Sequence, residues 1–309
     1  MTPQAPTPPT PHPDHVVLEG TARARELRQG VHAEAAALTL LGVAPRLAVV
    51  VATADEGAGW YVRSLSGAAR RVGVECEVVD LGPDAAPELI GATLARLSSD
   101  DTVHGIVLQT PLPDGARVEE LAASIVPEKD VDGANPLSAG RLAAGLPAYP
   151  PATAAAVLEL LDHHGVELAG RSAVVVGRSL VVGKPTAQLL LQRDATVGIC
   201  HRHTKDLAEH TRTADVLVVA VGRIGLIRAE HVADGAVVVD VGTNTAPDGS
   251  LVGDVDAVDV ARRPGALTPV PGGVGPVTTA LLLAHTVRSA RAHVRAPLTR
   301  PGGPPSRTR

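Results

Sequence analysis

The residues best suited to chemistry lie in 172–185, which reads S-A-V-V-V-G-R-S-L-V-V-G-K-P. Small and apolar residues lead into Gly177, the polar pair Arg178-Ser179 follows, and Gly183-Lys184-Pro185 opens a run of helical character. A strand, a tight glycine turn and a helix start present free backbone N–H groups to a phosphate. The spacing is not G-x-G-x-x-G, and a plain strand-to-helix turn would share it. A dinucleotide fold usually carries Asp or Glu about 20 residues further on, for the ribose hydroxyls. Here that place reads Cys200-His201-Arg202-His203-Thr204, with no acid. Arg202, with Arg178 in the turn, suits a 2′-phosphate, because a guanidinium fork gains far more from a dianion than from a hydroxyl. NADP is therefore expected over NAD, the alternative for Arg202 being a solvated strand-end charge. Cys200-His201-x-His203 also raises a metal site. No fourth ligand accompanies it and alternate strand residues face opposite ways, so no metal is expected.

The elements that must position these residues follow from the apolar pattern. A helix is expected over 16–41, with Leu18, Leu27, Val31, Ala35 and Leu38 roughly on one face. Three strand-then-helix units follow: strands at 47–52, 75–81 and 104–108, helices at 60–72, 87–97 and 118–125. The segment 127–133 (P-E-K-D-V-D-G) is a turn cluster, 147–151 reads as a domain boundary, and 153–164 as a connecting helix. A second set has strands at 172–177, 195–200, 216–221 and 236–241, with helices at 185–191 and 207–211. The proline- and glycine-rich 268–276 is an irregular loop before a last helix at 277–294. Continuous apolar strands alternating with helices argue for parallel sheets covered on both faces. The expected fold is α/β: a first α/β lobe followed by a second, nucleotide-type sheet. The ends, 1–15 and 297–309, read as disordered tails rich in Pro, Gly, Thr and Arg.

Composition narrows the partners. The chain has no Phe, one Trp and two Tyr in 309 residues, so its core must be aliphatic. A net charge of −5 gives no whole-protein attraction to nucleic acid or membrane, and anionic ligands must be met by locally placed Arg, Lys or helix N-termini. No apolar run is long enough to span a bilayer, and the N-terminal residues lack the apolar stretch of a signal peptide. Two cysteines, Cys76 and Cys200, are too few for a disulfide framework, which points to a reducing cytoplasm.

Several stretches together carry a resemblance. They are Tyr61-Val62-x-Ser64, Gly105-Ile106-Val107-Leu108-Gln109-x-Pro111-Leu112-Pro113 and Pro127-x-Lys129-Asp130-Val131-Asp132-Gly133. Gly140-Arg141-Leu142, Gly177-x-Ser179-x-x-x-Gly183-x-Pro185, Asp240-Val241-Gly242-x-Asn244, Gly253-Asp254-Val255 and the loop 268–276 complete the set. From about residue 16 to 295 the chain resembles the methylenetetrahydrofolate dehydrogenase/methenyltetrahydrofolate cyclohydrolase family. The resemblance implies two lobes with a folate cleft between them, an N-terminal lobe of 16–148 joined by the C-terminal helix 277–296 and a Rossmann-like, NADP-binding lobe of 149–276, and a homodimer. It assigns Tyr61 to stacking on the folate, Asp132 to the pterin edge, and Gln109 to the catalytic centre. Pro271, Gly272 and Gly273 would line the cleft, and Gly177, Arg178, Ser179, Gly183, Arg202 and Thr243 would hold the cofactor. The residue types suit these roles: an aromatic platform takes a planar ligand, and a carboxylate accepts from a 2-amino-4-oxo edge. Helix packing for Tyr61, a turn role for Asp132 before Gly133 and a strand-end role for Gln109 are the plain alternatives.

One departure bears on activity. The family pattern is Tyr-x-x-x-Lys, one helical turn apart, whereas the fourth residue after Tyr61 is Leu65. The only lysines are Lys129, Lys184 and Lys205, none of them near in sequence. Ala58, Ala154 and Ala156 also depart from the pattern, standing where the family has Ser, Pro and Gly. Hydride removal from a methylene bridge needs no proton acceptor, whereas hydrolysis of the methenyl product does. The expectation is a dehydrogenase whose cyclohydrolase activity is weak or lost. An NADP enzyme acting on another imine or aminal, and a non-catalytic folate or nucleotide binder, are the alternatives.

Overall fold

The structure, a computed structural model, describes residues 10–295. Valine-rich segments form its strands, because β-branched side chains stiff at χ1 pack well on a pleated surface. In the first lobe, β2 (Arg46–Val51), β3 (Glu75–Asp80) and β4 (Gly105–Leu108) make a three-stranded parallel sheet in the order β3-β2-β4, whereas β1 (His15–Val17) joins the sheet of the second lobe. The central strand β2 shows the two-residue period directly. Leu47, Val49 and Val51 enter one hydrophobic core, while Ala48 and Val50 enter another with Ile90, Leu94 and Leu97 of a covering helix. That helix is α3 (Pro87–Ser99), and the opposite face is covered by α2 (Glu56–Arg71), preceded in the chain by α1 (Thr21–Leu40).

The second lobe is a six-stranded parallel sheet in the order β1-β11-β8-β7-β5-β6, built from β1 (His15–Val17), β5 (Ser172–Val176), β6 (Thr196–Cys200), β7 (Val216–Val219), β8 (Val237–Asp240) and β11 (Gly265–Leu267). A two-residue hairpin of β9 (Asn244–Thr245) and β10 (Leu251–Val252) stands apart. The remaining helices are α4 (Val118–Leu121), α5 (Pro136–Ala143), α6 (Ala152–His163), α7 (Gly183–Leu191), α8 (Leu207–Thr211), α9 (Ala257–Val260) and α10 (Val274–Arg295). Helix α10 packs on α1 and α6, and α6 packs on α7. One aliphatic core therefore runs through both lobes: it joins Val49 of β2, Leu65 of α2, Leu160 of α6, Val175 of β5 and Leu283 of α10. The fold is the two-lobed, parallel-sheet α/β architecture with a Rossmann-like second lobe.

Four readings are corrected. The helix expected from residue 16 starts at Thr21, and His15–Val17 instead pair in parallel with Gly265–Leu267 at the sheet edge. The tail expected over 1–15 does not hold for its last residues, since His15 is in that pairing and the His12 N–H donates to the Ala261 carbonyl; the rest of the two expected tails, residues 1–9 and 296–309, lies outside the described residues. Helix α2 starts at Glu56 rather than 60, because the Asp55 side chain caps it by accepting from the Ala58 N–H at 2.7 Å. That cap outweighs the poor helix propensity of Gly57 and Gly59. Helix α5 was not expected; Asn135 caps it, accepting from the Leu137 N–H at 2.7 Å, with Pro136 in its first turn.

Candidate active site

In parallel α/β sheets the carboxyl ends of the strands open onto the ligand crevice. Gln109 follows β4, Gly177 follows β5, His201 and Arg202 follow β6, Thr243 lies just beyond β8, and the loop to Gly273 follows β11. All the candidate residues outside α2 and the 127–133 turn therefore share one end of their sheets.

The β5–α7 turn has the close backbone approach a phosphate needs. A Cβ on Gly183 would stand 2.3 Å from the Gly177 carbonyl oxygen and 2.8 Å from the Arg178 nitrogen, so neither turn of chain leaves room for a side chain there. Gly177 itself has φ +133°, and its N–H donates to the Cys200 carbonyl at 2.9 Å, which ties the ends of β5 and β6 together. The Ser179 hydroxyl accepts from the Val182 and Gly183 N–H groups at 3.2 and 3.3 Å, fixing the entry into α7. Arg178 and Arg202 are both exposed at these adjoining strand ends, and among the described residues neither is ion-paired. The Arg202 Nε donates to His203 Nε2 at 3.1 Å, and the His203 N–H donates to His201 Nδ1 at 3.2 Å. Two guanidinium groups without an ion pair among the described residues, a glycine turn and a nine-residue helix opening behind it fit a nucleotide bearing an extra phosphate.

Between the lobes lies a cavity of about 550 Å³. Tyr61, Thr243, Pro271, Gly272 and Gly273 all line it, and Val182 brings the β5–α7 turn to its edge. Its floor loop is held by two backbone bonds: the Gly20 N–H donates to the Gly272 carbonyl at 2.8 Å, and the Gly273 N–H to the Pro269 carbonyl at 2.9 Å. Gln109 and Asp132 stand outside this lining. Gln109 is half-buried, its Nε2 donating to the Thr110 carbonyl at 2.6 Å. Asp132 is pushed up to about 7, first by burial and then by the neighbouring Asp130 charge. The Tyr61 hydroxyl is raised by burial and then by the Asp132 carboxylate, so the two side chains lie within each other's field. Helix α10 holds the Asp132 segment: His285 Nδ1 bonds the Val131 carbonyl at 2.9 Å, and the Ser289 hydroxyl donates to the Glu128 carbonyl at 2.8 Å.

Leu65 does not face the cavity. It is fully buried in the shared core, on the side of α2 that carries Val62 and Ala69, whereas Trp60, Ser64, Ala68 and Arg71 turn to the cavity. Burial on this scale contributes roughly 2 kcal/mol to folding.

Sequence reading missed several residues. Trp60, the only tryptophan, lines the cavity beside Tyr61, and Arg28 and Arg71 reach it from α1 and α2. Asp254, fully buried, accepts from the N–H groups of Val221, Gly222 and Arg223 and from Asn244 Nδ2. Asp240 accepts in turn from Gly242, Asp254 and Val255, its carboxyl raised to about 6 chiefly by burial. Together they clamp the loops after β7 and β8. The D-V-G-x-N and G-D-V motifs signalled these acids but not their role.

The tetrahydrofolate dehydrogenase/cyclohydrolase catalytic-domain model matches residues 18–132, and the NAD(P)-binding-domain model of the same name matches 151–294. A relative from Saccharopolyspora erythraea, bifunctional protein FolD 1, is 70% identical over 273 residues, covering 88% of this chain and 93% of its own. The Rhodococcus jostii protein of the same name is 62% identical, covering 88% and 92%. Among solved structures, the bifunctional FolD enzyme of Campylobacter jejuni superposes with a TM-score of 0.87 at 38% identity, covering 90% of this chain and 99% of its own. The Trypanosoma brucei FolD, solved with NADP cofactor and an inhibitor, gives a TM-score of 0.87 at 37% identity, covering 92% and 100%. With both lobes matched in order, the chain belongs to the tetrahydrofolate dehydrogenase/cyclohydrolase family.

Proposed function

We propose that this protein is an NADP-dependent methylenetetrahydrofolate dehydrogenase in which hydrolysis of the methenyl product is weak or absent. The observation that carries the second half is Leu65. One turn beyond Tyr61, where the resemblance expects an ammonium group, this chain buries an isobutyl group in its core. NADP, when bound, supplies the hydride acceptor. Arg178 and Arg202 hold its 2′-phosphate, Gly177, Ser179 and Gly183 admit the phosphates to the N-terminus of α7, and Thr243 borders the nicotinamide end of the cleft. The glycine turn and the unpaired guanidinium groups support this assignment.

The folate lies across Tyr61, with Pro271, Gly272 and Gly273 against its other side, and Asp132 accepts from the pterin amino edge. Gln109 orients the reacting end. Loss of hydride from the methylene bridge is pushed by the two flanking nitrogen lone pairs and leaves a delocalised cation, so no side chain has to remove a proton. A missing ammonium also removes charge repulsion from the forming cation. Hydrolysis differs: water must lose a proton as it attacks, and a ring nitrogen must gain one. Arg28 and Arg71 on the cavity wall cannot stand in, since a guanidinium stays protonated at any working pH.

The same reading has residues 16–148 with the helix 277–296 as substrate lobe and 149–276 as cofactor lobe. It also has a homodimer in the cytoplasm. No helix among the described residues is long and apolar enough to cross a membrane, and Cys76 and Cys200 are free thiols. The test is NADP reduction driven by methylenetetrahydrofolate, compared with a panel of cyclic imines and with NAD. Turnover of the folate at least tenfold above every other pairing supports the reading. Preference for another imine, or ligand binding without turnover, refutes it.

A further inference from the structure

The turn that carries Asp132 is closed by its own stretch of chain. The Asp130 carboxylate accepts from the Ala134 and Asn135 N–H groups, each at 2.9 Å, and the Gly133 N–H donates to the Asp130 carbonyl at 3.1 Å. The Val131 carbonyl differs: its partner at 2.9 Å is His285 Nδ1 of α10, 154 residues away in sequence. That carbonyl belongs to the planar peptide unit whose nitrogen is that of Asp132, so holding it fixes the plane from which the Asp132 side chain departs.

His285 is a costly residue for its place. It stands in the run Leu281-Leu282-Leu283-Ala284-His285-Thr286-Val287 and is only 4% exposed. Burial, helped by the Arg288 charge and opposed by the Val131 carbonyl, lowers it to about 4, so the ring is neutral at working pH. A carbonyl only accepts, which puts the single ring proton on Nδ1. The Tyr149 ring packs on the imidazole, with centroids 5.1 Å apart and planes at 39°, and holds its orientation. One turn along the same face of α10, the Ser289 hydroxyl donates to the Glu128 carbonyl at 2.8 Å. A rotating hydroxyl is therefore enough to satisfy a carbonyl of this turn. The imidazole adds a rigid ring wedged by Tyr149, which gives the bond at Val131 a fixed direction as well as a partner.

We infer that His285 is a positioning residue for substrate recognition: through the Val131 peptide it sets the direction in which the Asp132 carboxylate meets the pterin edge. This rests on the folate reading of the cavity. His285 does not line that cavity, so its effect is carried by Asp132 and falls on folate binding, not on NADP or the hydride step. The groups that face Asp132 are Asp130 in its own turn and Tyr61 of α2, with the Ala152 N–H at the start of α6.

The test compares wild type with His285→Asn and His285→Leu in the full chain. The asparagine amide donates from nearly the place of Nδ1, whereas leucine cannot donate; both leave space in the core and melt at lower temperature. The KM for methylenetetrahydrofolate rises about tenfold in His285→Leu and stays within about threefold of wild type in His285→Asn, with kcat and the KM for NADP within about twofold in both. Thr286→Val, whose lost hydroxyl bonds only the Leu282 carbonyl of its own helix, leaves all three as in wild type. A second readout needs no ligand: the Asp132 titration, followed by carboxyl carbon NMR on the free protein. Its midpoint of about 7, raised chiefly by burial, drops toward the ordinary carboxylate range in His285→Leu as the released side chain turns to water, and stays in place in His285→Asn. A folate KM that moves equally in both variants, or only in step with the melting temperature and the KM for NADP, overturns the assignment and leaves His285 as a core hydrogen-bond donor. No folate turnover by any of the proteins, with a midpoint that moves in His285→Leu alone, discards the dehydrogenase reading and keeps the positioning of Asp132. Turnover with folate KM and midpoint both unmoved in His285→Leu does the reverse.

Discussion

Replacing Leu65 by lysine would return an ammonium group to α2 one turn beyond Tyr61. Leu65 is fully buried, so the change exchanges a packed isobutyl group for a four-carbon stem with a charge. The stem replaces most of the apolar contact. Its nitrogen must then either remain in the core, at several kcal/mol, or run along the helix toward the Tyr61 edge of the cavity. A net loss of about 2–4 kcal/mol is expected, which lowers the melting temperature by roughly 5–10 °C. A lysine held there has its proton affinity reduced by burial and can exchange protons near neutral pH. Methenyltetrahydrofolate hydrolysis should therefore rise about 10²–10⁴-fold over wild type, while the dehydrogenase rate changes by less than about tenfold. Leu65→Met, which keeps the volume without the charge, should show no gain. Hydrolysis is followed by loss of methenyl absorbance above the buffer background, with circular dichroism melts for stability. A folded Leu65→Lys variant that keeps its dehydrogenase rate and hydrolyses no faster than Leu65→Met would refute the reasoning.

Three other outcomes follow from the geometry. Asp132, held at about 7, passes from mostly protonated to mostly ionised as pH rises through 7, so folate affinity should improve over that range and the dependence should vanish in Asp132→Asn. Its raised value also means that the folded chain holds this proton longer than the unfolded one, so its ionisation between pH 4 and 7 costs stability rather than adding it. On the proposed assignment of Arg202 to the 2′-phosphate, Arg202→Gln should raise the KM for NADP roughly 10–100-fold and leave that for NAD within about threefold. Asp254→Ala leaves the part-buried Val221, Gly222 and Arg223 N–H groups without their acceptor; a destabilisation on the order of 2 kcal/mol is expected in denaturant melts.

The strands were legible because parallel sheets covered on both faces demand continuous apolar runs, and β2, β4, β5, β7 and β8 supply them. The edge pieces were not. Val16 and Val17 extend only because Ala266 and Leu267 lie beside them, a pairing about 250 residues away that no local pattern encodes. The start of α2 was hidden by Gly57 and Gly59, whose poor propensity concealed the Asp55 cap. Within the candidate site, Arg178 and Arg202 could be picked out by type and spacing, and the fold sets both, exposed, at the adjoining ends of β5 and β6. Trp60, Arg28 and Arg71 could not, because their meeting at one cavity depends on how α1, α2 and the 268–273 loop pack. Asp240 and Asp254 were visible as motif letters. Their work as a clamp depends on a hydrogen bond from the Asp254 N–H to the Asp240 carboxylate, which only the folded loop creates. Leu65 was conspicuous as a departure, but its complete burial in the core rather than at the cavity surface is a tertiary fact.

The most direct measurement supplies wild-type protein with methylenetetrahydrofolate and NADP and resolves the products over time. The account predicts that the methenyl compound accumulates as NADP is reduced and decays to the formyl compound no faster than in buffer. Formyl product appearing in step with NADP reduction, well above the buffer rate, would contradict it.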